Sequence, residues 1–183
     1  MLILIVGPSG AGKDTLMNGA RAALADDPRF CFVRRIITRP GDMGEEAHES
    51  ATEQAFELRR AAGDFALSWR AHGMHYGIPA TIGVDLAQGR VVIANTSRAV
   101  VAEAAAQFPT AVIEIGAPPD VLARRLAARG REDAVDVARR LSRAIELPLP
   151  VERETVINDK TVEAGVRKLL AAINRAAGDA PLS

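Results

Sequence analysis

A single cysteine, Cys31, stands in the 183 residues, so no internal disulfide can form and a reducing compartment is expected. Aromatic residues make up only 4% of the chain, and no basic stretch is interleaved with them, so a nucleic-acid partner is not expected. Neither charge is in excess: Lys+Arg and Asp+Glu both number 23. A balanced chain has no global field to draw in a polyanion, so any anion binding needs a specific pocket. No run approaches the roughly 18 apolar residues of a membrane span. The opening MLILIV is short, has no basic flank and runs into Gly-Pro-Ser-Gly, which fits neither a signal peptide nor a membrane segment. The expected location is cytoplasmic, with no membrane partner. Lysine is scarce as well: only Lys13, Lys160 and Lys168 stand among the basic residues.

The remaining composition is ordinary, at 48% hydrophobic and 25% charged, and the length suits one domain with a substantial core. Residues 2–6 form a continuous β-prone run, as in a strand buried on both faces. A Gly-rich loop follows, and then a helix over 13–25 with Leu16, Ala20, Ala23 and Leu24 on one face. Residues 31–38 read as a second strand, 40–50 as a polar loop, and 53–62 as a helix ended near Gly63. A hairpin over 65–78 turns at His72-Gly73, and a short helix over 81–88 ends at Gly89.

From there strands at 91–94, 111–115 and 154–157 alternate with helices at 98–107, 119–128 and 162–173. A further helix carries Ala134, Ala138, Leu141 and Ile145 as one stripe, with Arg139, Arg140 and Arg143 largely off it. The tail 178–183 is expected to fray. Strand–helix alternation with near-continuous apolar strands implies an α/β fold: a parallel sheet flanked by helices on both faces. The stretch from about 34 to 80 breaks that rhythm and reads as a small inserted subdomain.

Gly7-Pro8-Ser9-Gly10-Ala11-Gly12-Lys13 matches G-x-x-x-x-G-K between a predicted strand and a predicted helix, the context that a phosphate-binding loop requires. Glycines permit the backbone angles that turn successive N–H groups onto a phosphate, and the helix adds its positive dipole end. Lys13 then reaches the β- and γ-phosphates of ATP. The residue after Lys13 is Asp14, where Ser or Thr usually holds Mg²⁺, and Thr15 comes next. Either Thr15 supplies the metal hydroxyl or Asp14 sits near the metal, directly or through water.

From this loop onward the chain resembles the guanylate kinase family over nearly its whole length. The landmarks are GPSGAGKDT, Thr38-Arg39-Pro40, Glu53-Gln54-Ala55-Phe56, Leu67-Ser68-Trp69 and His72-Gly73-Met74-His75-Tyr76-Gly77. Pro118-Pro119-Asp120, the segment from Arg125 to Gly130, and Asn158-Asp159 complete them. The resemblance implies a P-loop NTPase fold in one domain: a core of 1–33 and 81–183, an acceptor-binding insert of about 34–80 and a lid of about 125–143. ATP and Mg²⁺ are implied with it.

Carried over, Arg39 and Tyr76 match positions that hold the acceptor phosphate, and His48 falls where the family has a phosphate-binding Tyr. Arg125, Arg129, Arg131, Arg139 and Arg140 are lid candidates. Among them Arg129 and Arg140 are expected to join Lys13 and Arg39 in catalysis. Asn158 matches a segment beside the adenine. The guanine-reading positions depart from the pattern. Ser68 stands for a Glu, Ile78 for a Ser or Thr, and Asn95 and Ser97 for two Asp residues.

Losing these hydrogen-bonding groups removes the basis for choosing guanine. It also makes the acceptor region less negative, as a more anionic acceptor requires. In this the chain is similar to the ribose 1,5-bisphosphate phosphokinase family, whose G-K-D-[ST], L-S-W and S-R-A segments appear here at Gly12–Thr15, Leu67–Trp69 and Ser97–Ala99. That resemblance implies a phosphorylated sugar as the acceptor. Its second phosphate is expected near Ser68, His72 and Arg98. Three rival readings stay open: a nucleotide kinase with altered base choice, a non-catalytic interaction module, and a nucleotide-hydrolysing regulator. Turnover of GMP, failure to bind ATP, and acceptor-independent ATP hydrolysis would respectively favour them. Oligomeric state, monomer or homodimer, is also open.

Overall fold

The computed structural model describes residues 1–39, 48–128, 151 and 153–178. Strand β1 (Leu2–Val6) is wholly buried, all five side chains at 0% exposure. It is the centre of a five-stranded parallel sheet, β2 (Phe30–Phe32), β7 (Val91–Asn95), β1, β8 (Thr110–Gly116) and β9 (Arg153–Ile157), in that order.

Side chains alternate across a strand, so β1 feeds two separate cores. Ile3 and Ile5 face α1 (Lys13–Ala23) and the last helix, here α6 (Val162–Ala176), through Leu16, Ala20, Leu169 and Ile173. Leu2, Leu4 and Val6 face the other way, onto Val33, Leu67, Ile78, Val101 and Ala104. Burial on both sides explains why β1 reads as an unbroken apolar run.

A second sheet, in the order β4-β3-β6-β5, is built from β3 (Ile36–Ile37), β4 (Glu49–Ser50), β5 (Phe65–Ala71) and β6 (Met74–Pro79). Leu67 and Ile78 from this sheet belong to the core on the far face of β1. The stretch 31–38, read above as one strand, is two strands in different sheets. Val33 still donates to the Ile93 carbonyl at 2.9 Å, whereas Ile36 and Ile37 pair antiparallel with Gly77 and Tyr76. The chain crosses between the sheets at residues 34 and 35, a step that a β-prone sequence does not announce.

Helix α2 (Glu53–Ala61) starts at Thr52, whose Oγ1 accepts from Ala55 N at 3.1 Å. The β5–β6 turn uses His72 (φ 52°) and Gly73 (φ 74°), the two positive φ values that a tight hairpin turn needs. The helix expected over 98–107 opens as a 3₁₀ turn, Arg98–Val100, and continues as α4 (Val101–Gln107). Helices α3 (Ile82–Ala87) and α5 (Pro119–Ala128) fall as the pattern indicates. The lid candidates Arg129, Arg131, Arg139 and Arg140, with the helix of the Ala134 stripe, lie outside the described residues.

Cys31 is half-buried, and its thiol donates to Asp85 Oδ2 at 3.5 Å. Burial, and next the Asp85 carboxylate, push the thiol pKa up, so slow alkylation is expected.

Helices α1 and α6 approach closely because each offers a glycine: a Cβ on Gly19 would lie 2.4 Å from Val166 Cγ2, and one on Gly165 2.7 Å from Leu16 Cδ2. Gly19→Val is expected to lower stability by roughly 1–3 kcal/mol through overpacking, read as a reduced urea midpoint at unchanged m-value.

Candidate active site

In a parallel sheet the loops leaving the carboxyl ends of the strands gather at one edge. Here they are the loop after β1, residues 95–97 at the end of β7, and Asn158 after β9. Gly7 leaves β1 with φ 143°, and a Cβ there would sit 2.1 Å from the Ile115 carbonyl oxygen. No side chain fits that position. Gly12 (φ 87°) precedes α1, and a Cβ on it would meet Asn158 Nδ2 at 2.5 Å.

The loop between them is held from behind. Asn158 Nδ2 donates to the Ala11 carbonyl at 2.8 Å, and Arg125 Nη1 reaches the Gly10 and Ala11 carbonyls, each at 3.4 Å. Because a trans peptide sets C=O and N–H in opposite directions, turning the Ala11 carbonyl onto Asn158 aims the Gly12 N–H the other way. Lys13 Nζ donates to the Gly7 carbonyl at 2.8 Å and the Pro8 carbonyl at 3.1 Å, which folds the ammonium back over the loop.

One cleft collects these groups. It is lined by Gly7, Ser9, Gly10, Gly12, Lys13, Asp14 and Thr15 from the loop and α1. Arg35, Arg39, Trp69, Ala71, His72 and Tyr76 come from the second sheet and its turns, and Asn95, Thr96 and Ser97 from the end of β7. Trp69 and Tyr76 stack with ring centroids 5.3 Å apart at 7°, and both rings wall the cleft. Asp14 Oδ1 accepts from Asn95 Nδ2 at 2.8 Å. Asn95 Oδ1 and Thr96 Oγ1 are buried there with no hydrogen-bond partner.

Four expected ligands sit elsewhere. Ser68 does not line the cleft, because alternation along β5 gives that face to Trp69 and Ala71. Arg98 does not line it either; its guanidinium is paired with Glu114 on β8, whose other oxygen is 3.0 Å from Arg153 Nη1. Burial, and next the Arg153 charge, pull the Arg98 pKa down, so the Glu114 carboxylate is what makes this buried cation tolerable. His48 is buried behind Arg39: its Nδ1 is 3.3 Å from Arg39 Nη2 and its Nε2 is 3.2 Å from the Arg39 carbonyl oxygen. It braces that arginine rather than facing the cleft. Asn158 is also absent from the cleft lining, and its amide donates to the loop carbonyl. Pro8 and Ala11 shape the loop without lining the cleft.

Three cleft residues, Arg35, Ala71 and Thr96, were not singled out by the sequence. The only available signal for Arg35 was its spacing, four residues before Arg39.

A phosphate loop on a parallel sheet, opening onto a cleft walled by a second, smaller sheet, defines a P-loop protein of the guanylate-kinase-like kind. The guanylate kinase from Anaplasma phagocytophilum superposes with a TM-score of 0.70 over 96% of this chain and 85% of its own, at 14% identity, a likeness of fold alone. A family model described as an AAA domain matches residues 2–148.

Among relatives by sequence, the ribose 1,5-bisphosphate phosphokinase PhnN of Acidiphilium cryptum is 49% identical over 95% of this chain and 92% of its own. The bifunctional ribose 1,5-bisphosphokinase-thymidine phosphorylase of Azorhizobium caulinodans is 50% identical over 94% of this chain, which spans 25% of that longer protein. The chain belongs to the ribose 1,5-bisphosphate phosphokinase PhnN family.

Asn158→Ala removes one loop-bracing hydrogen bond, worth about 1 kcal/mol. It is expected to weaken binding of a fluorescent ATP analogue by about fivefold in an equilibrium titration.

Proposed function

We propose that the protein transfers the γ-phosphoryl group of ATP to the 1-phosphate of ribose 1,5-bisphosphate, giving ADP and 5-phosphoribosyl 1-diphosphate, in the cytoplasm and in the service of phosphonate breakdown. The observation that carries this reading is the charge of the cleft. Lys13, Arg35 and Arg39 line it, and Asp14 is the one carboxylate among the described lining residues. Such a wall suits two phosphate-rich ligands. The family membership argues for the same acceptor.

The attacking oxygen is already a phosphate anion, so no general base is required. Catalysis consists of alignment and charge neutralisation. Backbone N–H groups of the loop and Lys13 hold the ATP phosphates. Arg39, braced by His48, grips the accepting phosphate in a fork, with the Tyr76 hydroxyl beside it. His72, at the hairpin tip, closes the cleft wall. Arg129 and Arg140 are proposed to add charge from the lid, about 125–143, and residues of about 34–80 to form the acceptor-binding insert. Lys13→Met is expected to lower kcat by about 10²–10³-fold with folding intact.

The cleft also fits Mg²⁺. Asp14, Thr15, Asn95 and Thr96 gather one carboxylate and several neutral oxygens, two of which lack a partner. That set suits an ion which keeps several waters and takes phosphate oxygens, rather than an all-protein cage. When bound, the ion supplies positive charge to the β- and γ-phosphate oxygens. Asp14→Asn is expected to raise the free Mg²⁺ needed for half-maximal rate several-fold.

A coupled ADP-release assay with MgATP, comparing ribose 1,5-bisphosphate with GMP, tests the acceptor. The expected result is turnover of the sugar bisphosphate and little of GMP. The reverse would make the protein a nucleotide kinase, and acceptor-independent ADP release would make it a hydrolase.

A further inference from the structure

Arg35 stands immediately before β3, at the point where the chain crosses from one sheet to the other. Its backbone carbonyl accepts from Glu49 N at 2.8 Å, which fixes the start of its side chain. The residue is 9% exposed, yet it lines the cleft. Its Cζ lies 5.2 Å from the centroid of Tyr76, the ring that also stacks on Trp69. A guanidinium held over an aromatic face loses few rotamers on binding, and its N–H fork matches phosphate oxygens.

Residues 35, 37 and 39 alternate onto one face of an extended segment, and Arg39 lines the same cleft with its Nε buried and unpartnered. At about 3.3 Å per residue, the two Cα atoms are at most roughly 13 Å apart. Two preset guanidiniums on one wall suit an acceptor with two phosphates better than one with a single phosphate and a base. Arginine only donates hydrogen bonds and keeps its charge, so it recognises phosphate oxygens and has no acceptor with which to read a base N–H.

Of the three places first expected to take the second phosphate, His72 lines the cleft, whereas Ser68 lies on the other face of β5 and Arg98 is committed to Glu114. Building on the acceptor reading above, we infer that Arg35 is the specificity-determining residue for a bisphosphate acceptor: it ligates the sugar phosphate that is not phosphorylated, while Arg39 holds the one that is.

The test measures kcat and KM with ribose 1,5-bisphosphate and with ribose 1-phosphate, for the wild-type chain, Arg35→Met and Arg35→Lys, with thermal melts alongside. Arg35→Met keeps the length of the side chain without its charge. It is expected to raise KM for the bisphosphate by roughly 30–100-fold, to leave KM for ATP unmoved, and to change kcat/KM for ribose 1-phosphate by less than about threefold. Arg35→Lys keeps the charge without the fork and should fall between. An equal loss with both acceptors would assign Arg35 a merely structural part, as would a loss confined to melting temperature, and either overturns the inference. Unchanged discrimination in a folded Arg35→Met overturns it as well. A wild-type chain that turns over neither sugar phosphate would sink the acceptor reading, and this proposal with it, whatever the variants did.

Discussion

The architecture follows from one constraint: β1 has no exposed face. Five consecutive side chains at 0% exposure must be covered on both sides of the sheet. One side is covered by α1 and α6, packed closely through Gly19 and Gly165. The other is covered partly by the inserted sheet, through Leu67 and Ile78. Because α1 must double back directly from the end of β1, the connection between them is short and sharply turned. That connection is the phosphate loop. The insert, docked against the same strand, brings Arg39, Tyr76 and His72 to the loop's open side. Hydrophobic burial of a single strand thus places the two halves of the cleft against each other.

Polar contacts refine what burial places. The loop is held at its outer carbonyls by Asn158 and Arg125, from β9 and α5, so its N–H groups are oriented before a ligand arrives. Such preorganisation matters because reorienting dipoles during a reaction would add to its barrier. Asn95 and Asp14 do the same for the other side of α1, with an amide donor fixing one carboxylate oxygen. In each case an amide stands where the nearest charged group is already present, and the cleft stays net positive.

The arginines show how far residue type falls short of role. Arg98 and Arg35 are both largely buried and both close to the second sheet's docking face. One is neutralised by Glu114 on β8, two strands across the sheet from β7, while the other lies over an aromatic ring in the cleft. Neither outcome depends on the residues flanking them in sequence. Each depends on what another strand presents across a contact.

Much of the molecule was legible in its sequence for local reasons. An unbroken apolar run marked β1, the helical spacing of Leu16, Ala20, Ala23 and Leu24 marked α1, and the His72-Gly73 turn marked the β5–β6 hairpin, because burial on one face or two imprints itself on apolar spacing. The glycines and Lys13 marked the phosphate loop, because glycine adopts positive φ without steric cost and the G-x-x-x-x-G-K spacing sets a cation at the start of the helix. What only the tertiary structure decided was direction: that 31–38 divides between two sheets, that Ser68 faces away from the cleft, that Asn158 braces the loop and His48 braces Arg39, and that Arg35 enters where Arg98 does not. Those outcomes rest on contacts between residues far apart in the chain, and spacing along the chain carries no record of which face a distant strand will cover.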